Sequence, residues 1–298
     1  MDTDVLDADT SRRRIVPLTD AVCSFRGAHR YGFCIACLTL VLALMVAGPP
    51  APWAAAAPAV NISSQSEQTL QALLAVAKNA SSAGLSERSE ILSRQFLGTP
   101  YGANTLIGSA TVPEQLVVEL QKVDCFTYAD YVEALKRGDD REEFIDGLIK
   151  VRYKDGAVSF QNRKHFFTDW STLQPAVATD VTASLGADAI QVTKNLNKKD
   201  FGGLYLPGLP VVPRTVAYIP SRQVNADVLS RLRTGDYLGA YAPDGGLDVT
   251  HVGIVIATPD QFVLRNASSL PANNKVVDSP LLDYVKTVPG IVVLRPVQ

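Results

Sequence analysis

Beyond residue 37, this 298-residue chain contains a single cysteine. Cys23, Cys34 and Cys37 crowd the N-terminal stretch, and Cys125 stands alone after them. One thiol cannot close an internal disulfide, so no disulfide framework holds the body of the chain. Histidine is scarce as well: His29, His165 and His251 are the only three. Two histidines past the N-terminal stretch, without spaced ligand motifs beside them, make a poor zinc site. No metal or other cofactor is expected. An excess of one charge is also missing, with 28 Lys and Arg against 30 Asp and Glu. Nothing basic points to nucleic acid, and no acidic run points to a disordered tail. Internal repeats and low-complexity tracts are absent past the N-terminal stretch.

What is present begins with a targeting pattern. Arg12, Arg13, Arg14, Arg26 and Arg30 precede an apolar run from Phe33 to Ala47. Gly48-Pro49-Pro50 and the alanine-rich stretch Ala54 to Ala59 follow. A positive region, an apolar core and small residues make a secretory signal peptide, expected over residues 1–57. The apolar run is about 15 residues, against about 20 for a spanning helix. An uncleaved N-terminal anchor is the competing reading, and Ser11-Arg12-Arg13-Arg14 is a weak twin-arginine pattern. The protein is therefore expected to be exported, periplasmic, and tied to the membrane only through this signal.

Helices are expected first. Leu70, Leu73, Leu74 and Ala77 give helical spacing over 66–79, in a helical or linker segment covering 58–84. Ser86 is expected to cap a second helix that Gly98 stops. The loop Gly98-Thr99-Pro100-Tyr101-Gly102-Ala103-Asn104 cannot continue a helix. Asp124 is placed to cap a helix over Phe126 to Arg137, with Tyr128, Val132 and Leu135 on its buried face. Asp139 or Asp140 caps another over Arg141 to Val151. From Arg152 to Arg233 the pattern loosens into a long irregular insertion, with short strands at 158–161, 189–192 and 215–219. Five strands over 236–296 then form an antiparallel meander, and the class is α+β.

Two residues carry the chemistry. Cys125 lies at a helix start, where the macrodipole favours thiolate over thiol and makes the sulfur a nucleophile near neutral pH. His251 lies in the apolar strand Thr250 to Ile256 and can deliver a proton. The hairpin after His251 turns at Pro259-Asp260, and its return strand places Asn266 near His251, where an amide can accept from the ring N–H. Cys125, His251 and Asn266 are thus the candidate catalytic set. The bland readings stand beside it: a buried core cysteine, a satisfied core histidine and a turn asparagine. Arg163-Lys164-His165-Phe166-Phe167-Thr168-Asp169-Trp170 combines cations suited to carboxylates with aromatics suited to sugar faces, or is a loop anchored in the core.

In these residues lies a resemblance. Gly98-Thr99-Pro100-Tyr101, Asp124-Cys125, Gly235-Asp236 and His251-Val252-Gly253-Ile254 resemble successive landmarks of the NlpC class of papain-like cell-wall peptidases. Cys125-Phe126-Thr127-Tyr128, the Arg163 to Trp170 segment, Thr250-His251-Val252-Gly253 and Asn266-Ala267-Ser268-Ser269 are similar to its N-acetylmuramoyl-L-alanine amidase-like branch. The likeness runs from about Leu85 to the C-terminus. It implies an NlpC-like amidase domain over 85–298, with a nucleophile helix packed on an antiparallel sheet. It implies thiol-dependent cleavage of the amide between the muramic lactyl group and L-alanine, in muropeptides with an anhydro end. Tyr101 matches a loop tyrosine over the nucleophile in that class. Tyr101, Asn104, Arg163 and His165 are the candidate substrate-binding residues.

Two departures bear on this reading. The wider class has Ser-Gly after the cysteine, where this chain has Phe126-Thr127, and it often has histidine where this chain has Asn266. Two alternatives stay open: an endopeptidase cutting between D-glutamate and the diamino acid, and a catalytically silent muropeptide-binding module. The expected partners are peptidoglycan fragments, not nucleic acid. Oligomeric state is not legible in the sequence.

Overall fold

The computed structural model describes residues 59–297. The expected signal peptide lies outside the described residues.

The chain opens with a short strand β1 (Val60–Ile62) and helix α1 (Ser64–Asn79). The Ser63 hydroxyl accepts from the Ser66 N–H at 3.1 Å and starts α1. Helix α2 (Leu85–Arg94) begins two residues earlier than expected. Gly84 is its N-cap and Ser86 lies inside the first turn, which corrects the expected serine cap. The reason is the backbone ladder: the Arg88 N–H already donates to the Gly84 carbonyl at 2.8 Å. Strand β2 (Leu116–Val118) pairs with β1 in parallel.

Helix α3 (Cys125–Leu135) and helix α4 (Arg141–Arg152) follow. Asp140, not Asp139, caps α4 by accepting from the Glu143 N–H at 2.9 Å. The remaining elements are α5 (Asp169–Thr172), β3 (Ala178–Asp180), α6 (Thr182–Leu185), β4 (Ile190–Leu196), β5 (Val212–Pro220), α7 (Ala226–Arg231), β6 (Tyr237–Tyr241), β7 (Val249–Ala257), β8 (Phe262–Ser268), β9 (Lys275–Pro280), α8 (Leu281–Val285) and β10 (Gly290–Pro296).

The main sheet runs β4-β5-β10-β6-β7-β8-β9, and β3 pairs with the far end of β10. Neighbouring strands are antiparallel throughout. Two expectations for residues 152–233 need correction. The segment expected as a strand at 158–161 is instead a single 3-10 turn, Phe160–Asn162, held by the Ser159 hydroxyl. The stretch is also less irregular than expected, because β4 and β5 pair along all of β4, and β5 joins the main sheet through β10. Strand β4 is an edge strand with a largely polar sequence. Its ladder comes from backbone groups, which leave little hydrophobic signal.

The sheet is covered on both faces. Leu70, Leu74, Tyr128, Val132, Phe144 and Leu148 from α1, α3 and α4 pack against Val252, Ile254, Ile256, Val292 and Leu294. On the other face, Leu185, Val228, Leu281 and Val285 from α6, α7 and α8 pack against Val255, Leu264, Ile291 and Val293. Side chains alternate across a strand, so β10 sends Ile291 and Val293 one way and Val292 and Leu294 the other. Its continuous apolar run is the signature of a strand buried on both faces. Each such buried side chain contributes roughly 2 kcal/mol. Helix α1 belongs to this same core.

Candidate functional site

The site is assembled where the start of α3 meets β7. Asp124 is extended, with φ −90° and ψ 178°, and its Oδ1 accepts from the N–H groups of Phe126 at 3.1 Å and Thr127 at 2.7 Å. The Thr127 hydroxyl accepts in return from the Asp124 N–H at 3.0 Å. This reciprocal cap makes Cys125 the first residue of the helix. Cys125 is half-buried as a residue, and its thiol is largely enclosed by protein. The backbone N–H groups of Val252, Cys125 and Phe126 act on the thiol by favouring its charged form.

The expected thiolate does not follow from this position. Burial first, and the Asp124 carboxylate second, push the Cys125 thiol up to about 11. The three backbone N–H groups pull the other way and lose. The same Asp124 that builds the helix start thus offsets the macrodipole with its own negative charge. At rest the sulfur carries its proton.

His251 owes its place to the sheet. The β7–β8 ladder ends at the pair Ile254↔Arg265, so the strands part before reaching His251. Val252 lies beyond that end, and its backbone N–H acts on the Cys125 thiol across the junction. On the other side, the β6–β7 register shifts by one residue between Ala240↔His251 and Tyr241↔Val249. A bulge of this kind re-aims neighbouring side chains and is frequent beside working sites.

The tautomer of His251 can be read from its neighbours. Asn266 Nδ2 donates to the Leu264 carbonyl at 3.0 Å and to the Ser279 hydroxyl at 3.2 Å. A carbonyl only accepts, so the amide orientation is set and Oδ1 faces the imidazole. His251 Nε2 lies 3.0 Å from that Oδ1 and must be the donor. Nδ1 therefore holds the lone pair. Burial lowers the His251 pKa below the ordinary histidine value, against the raising effects of Asn266 and Asp124. The imidazole is a neutral base near neutral pH.

Cys125 and His251 line one pocket of about 320 Å³, walled mainly by Phe126, Phe166, Phe167, Tyr205 and Leu206. A second pocket, of about 460 Å³, opens on the side of His251 and Asn266 that faces α8. A third, of about 510 Å³, contains Asn104, Asp124 and Arg163.

The substrate-binding candidates fare differently. Tyr101 is half-buried, and its phenol pKa is raised by burial and then by the Cys125 sulfur, which places it near Cys125. Its backbone is held by the Asn274 carbonyl at 3.0 Å. Asn104 is exposed on the rim of the third pocket and adopts a positive φ of 58°. Arg163 is not a free cation: Glu114 accepts from it at 2.5 and 2.9 Å, and the Tyr153 hydroxyl donates to the same carboxylate. This pair ties the loop before β2 to the Arg163 segment. His165 lines the pocket of Cys125, but its Nε2 donates to the Phe160 carbonyl at 2.8 Å, and burial keeps it neutral. Trp170 is fully buried, edge-on to Tyr237 at 4.8 Å and 5.6 Å from Phe126. Trp170 thus packs beneath α3, while Phe166 and Phe167 line the Cys125 pocket.

Some contributors were not legible beforehand. Asp248, fully enclosed just before β7, accepts from the Thr168 N–H at 2.7 Å and the Thr168 hydroxyl at 2.8 Å. Arg214 donates to Thr168 and, at 2.8 Å, to Asp169. The strand bearing His251 is thereby tied to the Arg163–Trp170 segment. Asn197, at φ 80°, bonds the Leu206 N–H at 2.7 Å and the Leu206 and Leu209 carbonyls at 3.0 Å, which presents Tyr205 and Leu206 to the pocket. Asparagine in a turn-rich stretch was the available signal for it.

A family model described as AmiA-like, N-acetylmuramoyl-L-alanine amidase-like, matches residues 91–291. The chain belongs to this amidase-like family. A crystal structure of an N-acetylmuramoyl-L-alanine amidase from Bacteroides uniformis is similar at a TM-score of 0.60 and 28% identity, covering 72% of this chain and 99% of that one. Protein LPG0564 from Legionella pneumophila is similar in fold at a TM-score of 0.65 and 24% identity, covering 77% of this chain and 95% of that one. The UPF0047 protein Rv2556c of Mycobacterium tuberculosis is 71% identical over 34 residues, which span 11% of this chain and 26% of that protein. The amidase-like match contains Cys125, His251 and Asn266.

Proposed function

We propose that this member of the amidase-like family is an exported, periplasmic peptidoglycan amidohydrolase with a papain-like, NlpC-type core. It uses Cys125 to cleave the amide between the muramic lactyl group and L-alanine, with anhydro-muropeptides as substrates. The observation that carries this reading is the relay at the junction of α3 and β7. Asn266 fixes the tautomer of His251, and His251 shares a pocket with the one cysteine past the N-terminal stretch.

The chemistry follows from the protonation states. The Cys125 thiol passes its proton to His251 Nδ1 as the sulfur attacks the lactyl carbonyl carbon. The resulting oxyanion takes a hydrogen bond from the Cys125 backbone N–H at the helix start, with the Tyr101 hydroxyl beside it. Imidazolium Nδ1–H then donates to the alanine nitrogen, the C–N bond breaks, and the peptide leaves with a free amine. The acyl group remains as a thioester. Water gives a proton to Nδ1 while its oxygen attacks the thioester, and the thiolate leaves and recovers that proton. Asn266 holds Nε2–H throughout, so the ring presents the same nitrogen in both halves of the cycle. Asparagine orients the imidazole without adding charge, in keeping with a neutral resting pair.

The test is product analysis by mass spectrometry. Muropeptides with and without an anhydro end are incubated with the mature protein and with Cys125→Ala. Free stem peptide from anhydro substrates, made only by the unmutated protein, is expected. Cleavage within the stem would move the activity to the endopeptidase class. Binding without any product would make the protein a silent muropeptide binder.

A further inference from the structure

Helix α8 places Tyr284 against the catalytic histidine on the side away from Cys125's apolar pocket. The two rings have centroids 6.0 Å apart and are tilted by 45°. His251 is thus held in two ways: Asn266 grips Nε2 by a hydrogen bond, and the phenol limits rotation of the ring. The Tyr284 pKa is raised, first by burial and then by the Cys125 sulfur, so the hydroxyl keeps its proton and lies within electrostatic reach of the nucleophile.

That hydroxyl differs from those of the four fully buried tyrosines. Tyr128, Tyr131, Tyr153 and Tyr237 each have a protein partner for theirs. The Tyr284 hydroxyl has none among the described residues, and it is not a sealed-off buried atom. It belongs to the wall of the second pocket, with Thr250, Ser268, Ser279 and Thr287. The wall is rich in neutral hydroxyls, which can donate and accept. The one carboxylate among the lining residues, Asp283, is paired with Lys286 at 2.9 Å. Such a wall suits a chain of peptide amides better than a free anion.

The geometry points to Tyr284 as a positioning residue for His251, whose hydroxyl also binds the first peptide unit of the leaving group in the α8-side pocket. This deepens the amidase reading and rests on it. In that reaction the imidazolium gives its proton to the departing amine, so the leaving peptide must pass His251. The ring of Tyr284 acts on the base, and its hydroxyl acts on the substrate. The two roles are separable by substitution.

Steady-state kinetics on an anhydro-muropeptide of the unmutated protein, Tyr284→Phe and Tyr284→Leu test this. Phenylalanine keeps the ring and removes the hydroxyl: KM rises about fivefold and kcat stays within about twofold. Leucine removes both: kcat falls by about tenfold, and phenylalanine is the rescue. An unchanged KM in Tyr284→Phe overturns the hydroxyl's role, and an unchanged kcat in Tyr284→Leu overturns the ring's role. A thermal melt of each variant separates these effects from loss of folding, and Tyr284→Phe alone keeps the proposal open to refutation if leucine prevents folding. A second readout needs no substrate. Iodoacetamide alkylation of Cys125 at pH 7 uses the same base, and it slows several-fold in Tyr284→Leu but not in Tyr284→Phe. If the unmutated protein cleaves no muropeptide, the amidase reading and the peptide assignment both fall. The alkylation rates then decide the positioning role by themselves, and equal rates in all three proteins would end it.

Discussion

Cys125 and His251 meet in one pocket but are put there by different kinds of structure. The nucleophile's end is local: Asp124, Cys125, Phe126 and Thr127 cap their own helix through bonds that span no more than three residues. The base's end is long-range: Asn266 lies fifteen residues from His251, and Asp248 anchors the start of β7 to Thr168, eighty residues away. Local structure fixes where the sulfur is and how hard it is to ionise. Distant structure fixes which imidazole nitrogen carries the proton. The nucleophile's end should therefore respond to charge, and the base's end to geometry.

The largest effects are expected at the reacting groups. Cys125→Ala removes the proposed nucleophile, and His251→Ala removes the proposed proton carrier. Each should lower kcat/KM by at least about a thousandfold, with folding intact in circular dichroism. Loss at only one of the two would break the pairing. Asn266→Ala comes next, at about tenfold to a hundredfold in kcat, because the ring loses its tautomer control. Asn266→Asp sharpens the comparison: the carboxylate keeps the acceptor and adds charge, so the His251 pKa rises and the acid limb of the kcat/KM profile moves to higher pH.

Charge at the other end is tested by Asp124→Asn. The amide still caps the helix, while the carboxylate that raises the thiol is gone. Cys125 should become more acidic, and its alkylation at pH 8 should speed up by a few-fold, read with iodoacetamide. A slower reaction would mean that Asp124 acts through His251 instead. The pH profile of the unmutated protein carries the same logic. Activity needs the neutral imidazole, and burial lowers its pKa, so the acid limb should fall below the ordinary histidine value of about 6.5. The alkaline limb should lie well above pH 9, because the thiol is pushed up to about 11. An alkaline limb near pH 8 would indicate a thiolate–imidazolium resting pair.

The smallest effect on chemistry is expected at Arg163. Its charge is matched by Glu114 in a largely buried pair. Arg163→Ala should cost stability by about 3 kcal/mol, by leaving that carboxylate alone, and chemical denaturation would show it. At saturating substrate, kcat should change little.

This contrast also explains what could be read from the chain beforehand. Helix α3, its Asp124 cap and the C-terminal strands follow from short-range patterns, and they appear within a few residues of where the patterns put them. The proximity of Asn266 to His251 could be read because a hairpin is itself nearly local. The protonation state of Cys125 could not, because helix position alone says nothing of burial or of how a capping carboxylate acts on a neighbouring sulfur. The Arg163–Trp170 segment stayed open between ligand binding and core anchoring for a related reason. Cations and aromatics suit a ligand, but Glu114 lies 49 residues from Arg163, and Trp170 is packed beneath α3. Residue type revealed which groups could bind, and tertiary contacts decided which remained free. The α8-side wall around Tyr284 was illegible for the same reason, since its residues come from β7, β8, β9 and α8.

The most direct test of the account is an acid-quenched reaction of the mature protein with an anhydro-muropeptide, read by intact-protein mass and peptide mapping. The account predicts a transient increase equal to the anhydro-muramyl acyl group, located on Cys125, with the stem peptide already released and no adduct on Cys125→Ala. An adduct carrying a peptide fragment instead of the sugar, or released stem peptide without any adduct on Cys125 at any quench time, would contradict it.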